Sequence, residues 1–133
     1  MGGGRYGFNK IDFYVGVNGQ VLPGKYKKWI GVSRREHLLR DVKNNNLKKT
    51  IDSLYRPGSF IGDGGTASVL KFEKRTGLHV SRNPLGHYIK AKETIRYLKN
   101  KVIKENLSHK DYKVANKVIR KMQQAMLEWE GKI

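Results

Sequence analysis

The chain has 133 residues, with 28 lysines and arginines against 11 aspartates and glutamates and a formal net charge of +17. That length suits one domain with a real core, and the absence of cysteine excludes disulfides, thiolate zinc sites and cysteine nucleophiles. The charge is spread along the chain, 12 basic residues against 4 acidic up to position 60 and 16 against 7 beyond it. It therefore belongs to a domain rather than a basic tail, and it favours polyanions such as RNA, DNA, an anionic membrane or an acidic protein.

No apolar run approaches the length of a membrane span. Met1-Gly2-Gly3-Gly4 lacks the apolar core of a signal peptide, so export would require a longer chain carrying this one. Residues 1–10 read as a linker or junction, and 11–133 as a single domain. Ile11-Asp12-Phe13-Tyr14-Val15 and Gln20-Val21-Leu22 flank Asn18-Gly19, which predicts a small β-hairpin. Tyr26 and Trp29, set among Lys25, Lys27 and Lys28, are expected to pack on later helices, with base stacking as the alternative.

Ser33 is a cap for a short helix with Leu38, Leu39 and Val42 on its apolar side. Asn44-Asn45-Asn46 interrupts it, and a second helix is expected from about Leu47 to Tyr55, stopping before Pro57. Thr66 reads as the N-cap of a third helix that Gly77 closes. A loop follows to Gly86, then a long helix from His87 to about Glu105. Ser108-His109-Lys110-Asp111 opens the last helix with a Ser cap and an acid in its first turn. Its apolar stripe runs Ala115, Val118, Ile119, Met122, Ala125, Met126 and Trp129. The short connection predicts an antiparallel αα-hairpin. The fold class is therefore mainly α (α+β): a small N-terminal β-hairpin, short helices and a C-terminal αα-hairpin. Lys90, Lys92, Arg96, Lys99, Lys101 and Lys104, then Lys110, Lys113, Lys117, Arg120 and Lys121, make the outer faces almost purely cationic, as a phosphate-backbone-binding surface would be.

Gly62-Asp63-Gly64-Gly65-Thr66 feeds directly into a helix, an arrangement that can aim backbone N–H groups and the positive end of a helix dipole at an anion. Gly64, Gly65 and Thr66 are thus candidate phosphate-binding residues. Lys71 and Arg75, four apart on one helical face, and Lys90 and Arg34 are added as side-chain contacts. Asp63 supplies either turn chemistry or a carboxylate. Metal-free RNA cleavage needs a base for the 2′-OH, an acid for the leaving oxygen and donors for the phosphoryl charge. His87 is the first candidate and His79 the second; the alternative for His87 is an ordinary helix-start or core histidine. Glu73 is either a further base or a partner for a cation. His37, within Arg34-Arg35-Glu36-His37, suits phosphate contact equally well, and His109 a structural role. No His-Asn-His pattern, carboxylate cluster or His pair at i, i+4 points to a metal. The glycine loop matches neither the P-loop nor the dinucleotide fingerprint. No cofactor is expected.

Gly4-Arg5-Tyr6-Gly7-Phe8-Asn9-Lys10-Ile11-Asp12-Phe13-Tyr14-Val15, followed by Asn18-Gly19, resembles the junction after the repeat shell in Rhs/YD-repeat polymorphic toxins. The segment 62–77, with Gly86-His87 and the two long helices, resembles the C-terminal module of such secreted proteins, among them the wall-associated tRNA nuclease toxins. The resemblance implies a contact-dependent growth inhibitor released from a larger secreted protein, acting in the target-cell cytoplasm and neutralised by a cognate acidic immunity protein. It implies a ribonuclease with tRNA as favoured substrate. The residues themselves predict metal-independent transesterification using His87, apolar faces committed to the core argue against a membrane, and a monomer is expected. A metal-dependent DNase and a non-catalytic nucleic-acid-binding module are the alternatives.

Overall fold

In the computed structural model the backbone is described for residues 13–15 and 21–133, and side chains from residue 24 onward. The described chain is mainly helical. The helices are α1 (Arg35–Asp41), α2 (Asn45–Leu54), α3 (Thr66–Thr76), α4 (Gly86–Asn100) and α5 (His109–Trp129). Near the start, Phe13–Val15 and Val21–Pro23 pair antiparallel. The Asn18-Gly19 turn expected between them, and the proposed linker, lie outside the described residues. Short 3-10 turns over Gly24–Trp29 then lead into the helical body.

Two apolar clusters hold that body together. The larger joins all five helices through Leu38, Val42, Leu47, Ile51, Leu70, Ile95, Leu98 and the α5 stripe Ala115, Val118, Ile119, Met122 and Ala125. The smaller sits beneath the early 3-10 turns, where Tyr26 and Trp29 meet Phe72 edge-on with ring centroids 5.7 and 5.5 Å apart. Packing, the structural alternative, therefore accounts for these two aromatic rings. The start of α4 meets the end of α5, since Tyr88 stacks on Trp129, so the two run antiparallel.

Helix ends differ from expectation in instructive ways. Thr66 does not cap α3: Gly65 holds that position, and the buried Thr66 hydroxyl donates instead to the Leu54 carbonyl at 3.2 Å. The left-handed C-cap at Gly77 (φ 78°) closes α3 as expected. Helix α4 ends at Asn100 rather than near Glu105. The chain there tightens into a 3-10 turn that buries Val102, and Glu105 leaves the helix to accept from the Asn44 and Asn46 side chains. Ser108 caps α5 through the Asp111 amide. The Asp111 carboxylate does not reach back to its own cap. It is 2 % exposed and accepts from the amides of Lys43 and Asn44.

Asp111 thus pins the α1–α2 junction to the start of α5. Replacing it with Ala strands two partly buried amides, and the expected loss is about 2–4 kcal/mol in urea unfolding. Asp111→Asn, which keeps one acceptor oxygen, is expected to lose less.

Candidate functional site

The glycine loop is closed on itself. The Gly62 amide donates to Trp29 O (2.8 Å), that of Asp63 to Ser68 Oγ (3.3 Å), that of Gly64 to Ile61 O (2.9 Å) and that of Gly65 to Asp63 Oδ1 (3.0 Å). The expected cradle for an external phosphate is therefore corrected: Gly64, Gly65 and Thr66 are buried, and the amides of 62–65 already have acceptors. The physical reason is Asp63, which is the loop's own anion. Its Oδ1 accepts from Gly65 and Ser68, and its Oδ2 from Tyr55 and from Lys121 at 3.1 Å. Gly64 stands at φ 85°, and a Cβ there would come within 2.8 Å of Ser33 Oγ, so the bend requires glycine.

The other phosphate candidates divide. Arg75 forks onto Glu128 with contacts of 2.7 and 2.8 Å and lies over the Trp29 ring, while Lys71 adds its charge to the same Glu128. Lys90 donates to the Ser53 carbonyl, joining α4 to α2. Arg34 alone of the group has a guanidinium with no hydrogen-bonding or acidic partner among the described residues, and it lines a separate cleft described below.

The catalytic candidates fare differently. Glu73, in the third turn of α3, and His87, in the first turn of α4, come together: Nδ1 of His87 lies 3.3 Å from Glu73 Oε2. The Glu73 side chain is 0 % exposed and that of His87 19 %. Oε2 also accepts the Val80 amide at 2.8 Å. With Glu73 ionised and the imidazole neutral, Oε2 accepts from both groups, which puts the ring proton on Nδ1 and leaves the lone pair on Nε2. Glu73 Oε1 is buried with no hydrogen-bond partner among the described residues. A buried carboxylate with so few donors depends strongly on each one. A buried carboxyl group beside a partly exposed histidine can orient the imidazole for proton transfer.

His79 does not hydrogen-bond to either member of this pair. It packs edge-on against Trp129 at 6.2 Å, on the ring that also carries Tyr88. His37 is held at both nitrogens: Nδ1 accepts from Arg40 at 2.8 Å, since an arginine only donates, and Nε2 lies 3.4 Å from Asp41. His109 opens α5 and is exposed. Among the described residues no group of three or more His, Asp or Glu side chains is placed to hold a metal ion, and no helix is long and apolar enough to cross a membrane.

Burial raises the Asp63 carboxyl, but the hydrogen bonds from Ser68 and Gly65 and the Lys121 ammonium outweigh it and leave the group below its ordinary value. Its stabilisation is therefore complete above the unfolded aspartate range and lost as pH falls through the lower folded value. Asp63→Asn should unfold at lower urea than wild type at neutral pH, with the gap closing toward about pH 3. A gap constant with pH would refute the role of charge. Compared with known proteins, the chain matches no family model, no curated sequence and no solved structure.

Proposed function

We propose that this domain is a ribonuclease toxin module in which His87, oriented by buried Glu73, is the general base. The single observation carrying the catalytic part is the contact between His87 Nδ1 and Glu73 Oε2. Three elements (α3, the 78–85 loop and the start of α4) meet at that carboxylate. A base for the RNA 2′-OH must titrate near neutrality and present a lone pair to solvent-borne substrate. A neutral imidazole with its proton on Nδ1 does so through Nε2. In cleavage by attack of the 2′-oxygen on phosphorus, His87 takes the 2′-OH proton as the O2′–P bond forms and the P–O5′ bond breaks, giving a cyclic phosphate and a 5′-oxygen protonated from water. The net charge of +17 supplies the long-range attraction for such a polyanion.

The delivery part of the reading rests on the resemblance of segments 4–19 and 62–87 to Rhs/YD-repeat toxins. In that setting the module is carried by a larger secreted protein, acts in a target-cell cytoplasm on tRNA, and is held inactive in the producer by an acidic immunity protein. Such a protein would cover the cationic surface.

Purified full-length chain incubated with total RNA in EDTA is expected to cleave it. His87→Ala should lower the rate roughly 10²–10⁴-fold with circular dichroism unchanged. Glu73→Gln, which keeps the shape but weakens acceptance at Oε2, should lower kcat with little change in KM and move the pH–rate profile. Intact RNA with the wild-type chain, or undiminished cleavage by His87→Ala, would refute the assignment.

A further inference from the structure

We propose that the cleft between α1 and the amino-terminal half of α5 is a phosphoryl-binding subsite, taking one backbone phosphate of the nucleic acid away from the Glu73–His87 pair. The proposal rests on the nucleic-acid reading above and adds to it where the strand is gripped. The cavity measures about 120 Å³ and is walled by Arg34, His37, Tyr55, Lys110, Lys117 and Lys121 over an apolar floor that includes Val114 and Val118. The α5 members recur at helical spacing, so one stripe of the helix faces α1. Four cations converge here from a loop and one helix face. Only Lys121 has a carboxylate partner, Asp63 at 3.1 Å. Arg34, Lys110 and Lys117 have none within ion-pair distance among the described residues. The lining acid Asp41 is already engaged by His37 and Arg40.

Like charges gathered around a concave site repel one another and persist most easily where an anion is taken up. The walls suit that anion. Burial first, then the Asp63 charge, pushes the Tyr55 phenol well up, so it remains a neutral hydroxyl that donates to Asp63 and sets no charge of its own against the anion. The Arg34 charge is felt at the same Tyr55, placing a planar fork of donors beside it, suited to phosphate oxygens. Asp63, fixed by the glycine loop, in turn anchors Lys121 at the rim. The volume falls below the roughly 300–1,000 Å³ of pockets that enclose a whole drug-sized ligand, so the cleft suits one small group such as a phosphoryl rather than a whole nucleotide. Along α5, Lys117 and Trp129, which marks the His87 end, are separated by roughly 18 Å of helix rise. The cleft is thus a second point of contact.

The test uses full-length protein carrying His87→Ala, so that RNA stays intact. Inorganic phosphate at about 10 mM, in the range of a weak single-group contact, should shift the His37 ring resonances and leave those of His109 in place. A single-stranded RNA oligonucleotide should bind with a salt slope that falls by about 0.7, the value for one lost phosphate contact, when Arg34→Ala and Lys117→Ala are combined. Lys99→Ala with Lys104→Ala, the same charge removed elsewhere, should change the slope less. Equal changes in both double variants, or His37 resonances indifferent to phosphate, would overturn the subsite. RNA affinity kept in the cleft variant while binding of an acidic polyglutamate peptide is lost would reassign the cleft to a protein partner and also overturn it. Phosphate and RNA binding in a wild-type chain that cleaves no RNA would remove the ribonuclease reading and leave the subsite standing.

Discussion

Eleven carboxylates serve 28 cationic side chains in this protein, and where those carboxylates go organises everything else. Asp111 accepts two backbone amides at the α1–α2 junction. Asp63 closes the glycine loop. Glu73 accepts the Val80 amide and His87. Asp111 and Glu73 are buried, and each of the three links segments distant in sequence. Acids used to gather internal donors are unavailable to neutralise the surface, so the exterior keeps its cations in excess. A buried carboxylate serving amides and a charged surface open to a polyanion are two consequences of one scarcity.

Helices α3 and α5 carry this arrangement into the candidate sites. Helix α3 begins at the loop that Asp63 closes and bears Glu73 in its third turn, so one rigid element relates the two. Helix α5 lies against α3 along much of its length. Its carboxyl-terminal end brings Trp129 beside His79 and Tyr88, and its amino-terminal half turns Lys110, Lys117 and Lys121 toward α1. A substrate reaching from the His87 end toward the α1 cleft would run along a helix whose outer surface is cationic. On the proposed reading, backbone contacts would hold such a strand in register while the His87 imidazole served as the base.

Helical periodicity was readable throughout, and the reason is the amphipathic spacing itself. The α5 stripe from Ala115 to Ala125, the stop at Gly77 and the Ser108 cap all follow from local sequence, because helix ends and buried faces are decided within a few residues. The expected break at Asn44-Asn45-Asn46, by contrast, narrows to Asn44, which caps a helix already begun at Asn45. His87 and Glu73 were also singled out from sequence alone, as a histidine and a carboxylate of suitable chemistry near helix ends. Their contact was not readable, since it joins positions on different helices. The glycine cluster misled for the same reason. Gly-Asp-Gly-Gly offers amides to an anion, and nothing local says that Trp29, Ile61, Ser68 and its own aspartate will take them instead.

The sequence by itself determined the helical class, the positions of most helix ends, the excess of positive charge and a short roster of titratable groups, all of which depend on composition and near neighbours. Only the tertiary structure decided which acids meet which donors. Through that pairing it brought Glu73 to His87, filled the glycine bend from within, and left Arg34, Lys110 and Lys117 around a common cleft with no carboxylate partner among the described residues. Pairings of this kind are set by packing between helices, where a side chain's partner is whatever the fold brings within 3 Å or so, and no spacing along one chain segment encodes that.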